Sequence, residues 1–510
     1  MAEEKKSLLY KLKPVIERWP AVSKPEGHVN FRTKMFWTIL CLVIYFILTN
    51  VMIFGLKGDV IDLFEQYRFI MAGASGSIMH LGIGPIVTAS IILQLFVGAK
   101  IINLDLTKKE DKAIYQGTQK VLVIVMIVVE AVPQIFGYLQ PSDGMVGLAG
   151  PEMANLIIVL QLVMWALLVF FMDELISKWG IGSGISLFIA AGVSQAIFTG
   201  LFNWLPVQGG VLSLSNPPAG VIPGTFYMAT EMSLGDMMSW GYQTMFIGAP
   251  SIGYQNAIVP LIGTIVIFLI VVYAESSRIE LPLTHAKVRG ARGRYPIRLI
   301  YASNIPVILM AALLANINMF AMLLYNSKLP LLGNQWWIGK YDMAISTQPL
   351  AGGVWYISSP GGINSWFLPI LGGGYGGHTS WQFAIKVIIY LTVMIFGSIL
   401  FAKFWIETTN MSAKDVAKQI QSSGMQIPGF RKDPRVLGKV LERYIPVVTV
   451  IGGAAVGALA GFADLIGTVG NASGTGVLLT VGIMIRMYED IAKEQAMEMH
   501  PVLRGFFGNE

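Results

Sequence analysis

Apolar stretches close to the roughly 20-residue length that crosses a bilayer recur ten times along this chain. They fall at about 35–56, 81–99, 119–139, 154–172, 183–203, 257–274, 299–325, 385–405, 445–466 and 475–489. No soluble core could take them all. Of 510 residues, 54% are hydrophobic and only 13% are charged, so lipid is the expected solvent. The cations between the stretches alternate. About 31 of the 36 Lys and Arg residues lie in the N-terminal arm, the C-terminal tail and four alternate loops, the positive-inside pattern. The intervening loops are nearly empty of cations: 204–255 has none, and 322–380 has only Lys328 and Lys340. Both termini are therefore expected in the cytoplasm, and an even number of spans agrees by putting both on one side.

Composition narrows the reading further. The formal net charge of +6 would usually suggest a polyanionic partner, but here the cations are segregated into particular loops. The single cysteine, Cys41, sits inside an apolar run, so no disulfide is expected. The start of the chain is charged and leads into an amphipathic stretch, Leu8–Trp19, where a cleavable signal would place an apolar core. The first span is expected to serve as its own insertion signal.

Five spans fall on each side of a break near residue 255. An odd number per half makes the second half enter the membrane in the opposite sense, the arithmetic of an inverted repeat. The expected organisation is an N-terminal half, 1–255, and a C-terminal half, 256–510. Gly82–Thr88 loosely echoes Gly474–Thr480. The long insertions 204–255 and 326–380 read as ordered extracellular loops. Residues 57–80 are too polar to span, yet carry Phe64, Tyr67, Phe69, Ile70 and Met71. A short re-entrant helix fits them, with a hairpin packed on the outer surface as the alternative. Pro85 suits the first turn of the span that follows.

No enzyme chemistry is evident, and neither cofactor nor metal is expected. Gly73-Ala74-Ser75-Gly76 matches the Gly-x-Ser-Gly of intramembrane serine proteases, which also need a histidine base on a neighbouring helix. The five histidines, 28, 80, 285, 378 and 500, lie in loops, tails or at span edges. Ionisable residues inside spans are few: Glu130, with Lys386 and Asp464 near span ends. An ion-coupled secondary transporter, which normally buries several charges along its path, is the alternative function. Glu130 could equally be hydrogen-bonded to a neighbouring helix. The stronger signal is in two cytoplasmic loops. Loop 275–298 carries Arg278, Lys287, Arg289, Arg292, Arg294 and Arg298; loop 403–444 carries Arg431, Lys432 and several more cations. Their density exceeds what orientation needs, and Arg and Lys on Gly-punctuated loops suit a phosphate backbone.

The chain resembles, over nearly its whole length, the SecY family of protein-conducting channels in its archaeal and eukaryotic form. The motifs that carry the resemblance are Leu81–Thr88, Gly180–Ile185, Arg289-Gly290-Ala291 through Tyr295-Pro296-Ile297, Ser303–Ile308 and Gly474–Leu479, with Gly424-Met425 and Gly429-Phe430-Arg431. The resemblance implies an all-α polytopic membrane protein of about ten transmembrane helices, in two pseudo-symmetric inverted five-helix halves, with a re-entrant plug at about 57–80. It implies a pore ring at Ile83, Val87, Ile185, Ile189, Ile308 and Leu479. Branched aliphatics there would seal by dewetting and deform around a passing chain. It implies a lateral gate at Thr88, Glu130 and Asn304, and ribosome docking through Lys287, Arg289 and Arg431. The implied partners are the SecE (gamma) subunit, a small beta-type subunit, the ribosome with its tunnel-exit rRNA, signal sequences, nascent polypeptides and membrane lipid. The implied location is the cell membrane.

Overall fold

The computed structural model describes residues 9–10, 13–27, 29–57, 72–98, 101–102, 104, 108–137, 139–207, 210–248, 254, 256–285, 292–298, 305–326, 335–342, 346–409, 411–422, 425–426 and 434–499. Among the described residues ten long helices make the frame: α1 (Phe31–Thr49), α2 (Gly84–Gly98), α3 (Lys109–Gly137), α4 (Pro151–Trp179) and α5 (Gly184–Phe202) come first. After them run α6 (Ile258–Ser276), α7 (Ile305–Asn326), α8 (Ser380–Thr408), α9 (Pro434–Ile466) and α10 (Gly474–Met499). Among the described residues, eight helices are long and apolar enough to cross a membrane. Helices suit that task because every interior backbone group is paired within the segment.

The two remaining helices depart from the pattern for physical reasons. α2 has 15 residues, a rise of about 22 Å against a hydrocarbon thickness of about 30 Å. It can be short because the chain enters it from a buried segment, with Ile78, Met79, Leu81 and Ile83 all buried. α10 is long, but its apolar part ends at Arg486 and runs on into Glu489 and Asp490.

Close helix approach is made by glycine. On α9, Gly453, Gly457 and Gly461 lie one turn apart and all face α8. A Cβ on Gly457 would stand 2.6 Å from the Met394 carbonyl oxygen. Small residues at such contacts replace the hydrophobic drive that helices lack in lipid.

Two carboxylates at the ends of helices hold the helix that follows. Asp173, near the end of α4, accepts the Ile185 backbone N–H at 2.9 Å in the first turn of α5. Asp464, near the end of α9, accepts the Thr475 N–H at 3.1 Å and the Thr475 hydroxyl at 2.7 Å in the first turn of α10. The Tyr390 hydroxyl on α8 also donates to Asp464, at 2.7 Å. In both places an anion meets a helix N-terminus after a Ser-Gly pair, Ser183-Gly184 and Ser473-Gly474. Glu174, beside Asp173, gathers Lys120 of α3, Lys178 at 2.8 Å and the Val22 N–H at 3.1 Å. The N-terminal arm is thereby tied to α3 and α4. Its helix, Lys13–Arg18, packs against α3, with Ile16 over Gly117.

Outside the helical bundle lie two small sheets. Strands β1 (Arg278–His285) and β2 (Arg292–Arg298) form an antiparallel hairpin in register from Arg278↔Arg298 to Thr284↔Arg292. Strands β3 (Lys340–Asp342) and β4 (Ser346–Ala351) form the second sheet. Strand β5 (Met425–Gln426) adds to the first sheet through Thr284↔Gln426 and His285↔Met425. The described residues of the long insertions include regular elements. The first contains helices Val221–Glu231 and Leu234–Ile247; the latter runs as α, π and α segments. In the second, the Trp355 ring stacks on His378 at 3.9 Å and lies under the Lys386 ammonium at 4.7 Å.

Candidate functional site

The centre of the molecule is organised around the chain that leads into α2. Of the expected re-entrant stretch 57–80, residues 58–71 lie outside the described residues; 72–80 are a series of turns. Ala72 takes a positive φ of 46°, and Gly76 and Gly82 turn the chain at 69° and 52°. The segment is clamped at both sides. Tyr45 of α1 donates its hydroxyl to the Ala72 carbonyl at 3.0 Å. The Ile53 N–H donates to Gly76 O at 3.0 Å, and the Ile78 N–H to Val51 O at 2.8 Å. On α5, Gly192 faces Tyr45 and Ala72; a Cβ there would lie 3.1 Å from the Tyr45 hydroxyl. Gly192 is one turn beyond Ile189, so residue 72 rests on the layer next to that isoleucine.

Ile83, Val87, Ile189, Ile308 and Leu479 are all buried and belong to the principal apolar core; Ile185 is half-buried and packs on it. These residues come from the start of α2, from α5, from α7 and from α10. α2 packs on α7 and α5 packs on α10, so the four elements bring branched aliphatics into one interior.

Beside this apolar layer runs a polar seam between α2, α3 and α7. Asn316 of α7 donates from Nδ2 to the Thr88 hydroxyl of α2 at 3.1 Å and to Ala312 O at 2.9 Å. Thr88 donates to Gly84 O at 2.9 Å and lies beside the Glu130 carboxyl of α3. Glu130 is 2% exposed, and its Oε1 has no partner among the described residues. Further along, Gln119 of α3 donates to Ser90 of α2 at 2.7 Å. Asn304, the expected third member, lies outside the described residues. The amide that α7 brings to Thr88 is Asn316, eight residues past Ile308. An asparagine inside an apolar run was the available signal, because such a group needs a partner in the membrane.

The end of α7 that leads into the insertion 326–380 is braced separately. Asn318 accepts the Ser358 hydroxyl at 3.0 Å, and Tyr341 donates to Asn318 O at 3.2 Å. Burial pushes the Tyr341 phenol well above its ordinary range, keeping it a neutral donor. Ser75 Oγ has no hydrogen-bond partner among the described residues. His80, its nearest histidine in sequence, accepts the Gly76 N–H at Nδ1, 3.0 Å away. Among the described residues, then, no side chain is hydrogen-bonded to Ser75 as a general base would be.

Lys287, Arg289 and Arg431 lie outside the described residues. The strands around them are described: β5 pairs with the end of β1 that leads into 286–291, and it also leads into 427–433. The two basic loops thus spring from neighbouring strands of one sheet.

Comparison with known proteins covers almost the whole chain. A family model described as SecY matches residues 77–488, and one described as the plug domain of Sec61p matches residues 43–76. The chain is 44% identical to protein translocase subunit SecY of Archaeoglobus fulgidus over 510 residues, 99% of each chain. It is similar to a solved structure described as that of a protein conducting channel. The TM-score is 0.73 at 38% identity, covering 96% of this chain and 98% of the other. Sec61 in the canine ribosome-channel complex from the endoplasmic reticulum superposes with a TM-score of 0.71, also at 38% identity, covering 96% and 98%.

Proposed function

The chain belongs to the SecY family, and from that premise we propose that it is the central, pore-forming subunit of a protein-conducting translocation channel. It is a multi-pass membrane protein and not an enzyme. It passes unfolded secretory polypeptides across the membrane and releases apolar segments sideways into lipid. The observation that carries this reading is the pairing of an interior of branched aliphatics, drawn from α2, α5, α7 and α10, with a single amide–hydroxyl contact across α2 and α7.

Ile83, Val87, Ile185, Ile189, Ile308 and Leu479 form the ring. Aliphatic side chains offer ions no ligand, and a dry constriction excludes water; yet their rotamers yield to a passing chain without binding it. The segment that ends in 72–80 is the plug, resting on the ring's outer side through Tyr45 and Gly192. Thr88, Glu130 and Asn304 form the lateral gate, and Asn316 joins it through its bond to Thr88. A hydrogen bond between helices in a membrane contributes about 0.6–2 kcal/mol. A signal sequence brings an apolar core of about 7–15 residues, worth about 0.8 kcal/mol per buried methylene. The incoming segment therefore outweighs the latch, and the gate opens without nucleotide.

Five spans in each of the halves 1–255 and 256–510, counting α2 and α10, account for ten. Their inverted relation is supported by the matched carboxylate caps: Asp173 on α5 and Asp464 on α10 occupy the fourth-to-fifth helix junction of each half. Ribosome and translocon partnership follows from the likeness to Sec61 of the canine ribosome-channel complex. Docking runs through Lys287, Arg289 and Arg431, whose loops are joined at the sheet β2-β1-β5. SecE and a small beta-type subunit complete the assembly, in the cell membrane with both termini cytoplasmic.

Vesicles carrying the purified complex test the reading against an ion-coupled transporter. Ribosome-driven delivery of a secretory polypeptide into a protease-protected lumen is expected. Accumulation of a solute that depends on Glu130, with no polypeptide imported, would replace the proposal with the transporter.

A further inference from the structure

The insertion between α5 and α6 has a surface that the channel reading does not use. Residues 204–255 carry only two charges, Glu231 and Asp236, and no cation. Helix Val221–Glu231 packs on α5 and buries Val221, Gly224 and Met228; Gly224 faces Tyr254, and Met228 clusters with Met245, Tyr254 and Ala257. The segment 242–247 buries Thr244 and Met245. With the chain paired on those inner faces, the opposite faces should be polar throughout if they met water. Ser239 and Gln243 are exposed there, but large apolar side chains predominate. Leu234, Met238, Tyr242 and Phe246, each four residues from the last, form one exposed stripe, with Leu234 83% and Met238 80% exposed. On the neighbouring helix, Ile222 and Phe226 are exposed in the same four-residue step. A helix apolar on both faces needs a second apolar phase.

The neighbouring spans identify that phase. α5 and α6 are spans, and their outward residues at this end, Phe198, Phe202 and Ile262, are exposed as lipid-facing residues are. Helix 221–231 packs on α5 and segment 242–247 on α6, so the exposed stripe continues the lipid-facing surface of those two spans. Trp204, Trp240 and Tyr242 add amphipathic rings of the kind that settle at the bilayer interface. We propose that the helices of 221–247 lie in the bilayer interface with the stripe Leu234–Met238–Tyr242–Phe246 in contact with acyl chains, tethering the outer end of the α5–α6 junction to lipid. The contact is apolar and not electrostatic, because the segment has no cation for anionic headgroups. It depends on α5 and α6 being spans and not on what passes through the channel.

The test uses the protein purified with any subunits that stay bound, with Cys41→Ser removing the only native thiol. Leu234→Cys, Met238→Cys, Tyr242→Cys and Phe246→Cys each carry a nitroxide, in phosphatidylcholine vesicles. Collision with dissolved oxygen, which concentrates in acyl chains, is compared with collision with a water-soluble nickel chelate. Oxygen should exceed nickel several-fold at all four positions, with nickel exceeding oxygen at Glu231→Cys and Asp236→Cys. The oxygen-dominated pattern should be the same in vesicles containing anionic lipid. Nickel dominance at the four stripe positions would place them in water and overturn the proposal. Protection from both reagents would mean that protein covers the stripe, and would overturn it equally.

Discussion

Replacing Asn316 by alanine removes the one amide that α7 extends to Thr88, and its consequence can be worked from the geometry. The lost contact is a single interhelical hydrogen bond of 3.1 Å. Thr88 keeps its donation to Gly84 O at 2.9 Å, so the deletion strands no donor. Intramembrane hydrogen bonds of this kind measure about 0.6–1.7 kcal/mol, roughly a 3- to 18-fold change in an open–closed equilibrium. A buried methylene contributes about 0.8 kcal/mol, so the bond corresponds to about one or two methylenes of a signal's apolar core. The assay is export of a secretory protein whose signal core is shortened stepwise by Leu→Val and Leu→Ala changes. The Asn316→Ala channel should export signals that lack one or two methylenes relative to the least apolar signal that the unaltered channel accepts. Thr88→Val should shift the threshold similarly, and the double variant should shift it no further than either alone. An unmoved threshold, or one displaced towards more apolar signals, would refute the latch.

Other expectations follow from the same structure. Ile83→Gly with Ile308→Gly, both buried, should raise resting ion conductance in planar bilayers, whereas a silent recording would remove the seal. Gly457→Leu would drive a side chain into the Met394 carbonyl, 2.6 Å from the ideal Cβ. It should lower thermal stability in detergent by about 1–3 kcal/mol, the usual range for overpacking, and an unchanged melting profile would show that α8 and α9 can part freely. Arg289→Glu with Arg431→Glu should weaken ribosome co-sedimentation and flatten its salt dependence, because each reversed charge removes a phosphate contact; binding that is unaltered at moderate salt would count against docking there.

The membrane makes much of this fold readable. Backbone groups must pair within each span and cations stay on one side, so length and charge are enough to find α1 and α3 to α9. α2 is less legible: 81–99 reads as a full span, but the helix starts at Gly84 because the chain arrives from the interior. The basic loops read as Gly-punctuated turns, while the structure has a hairpin joined by β5; pairing between strands so distant in sequence leaves no local signal. Register is the hardest part. Asn304, expected at the gate from the resemblance, lies outside the described residues. Among those described, the amide bonded to Thr88 is Asn316; the crossing of two helices sets which residues meet, and a sequence does not carry that angle. One feature recurs that the echo between 82–88 and 474–480 does not include: Ser183-Gly184 with Asp173 and Ser473-Gly474 with Asp464, where a carboxylate bonds the N–H of a residue twelve or eleven positions later in the next helix.

The most direct test of the account is photocrosslinking of a stalled ribosome-bound secretory chain to probes set one at a time along α2 and α7 and on the lipid-facing sides of α1 and α6. Probes at Thr88 and Asn316 should capture the signal's apolar core, and probes at Ile83 and Ile308 the residues that follow it. Crosslinks confined to the lipid-facing residues of α1 and α6, with none at those four positions, would contradict both the gate and the ring.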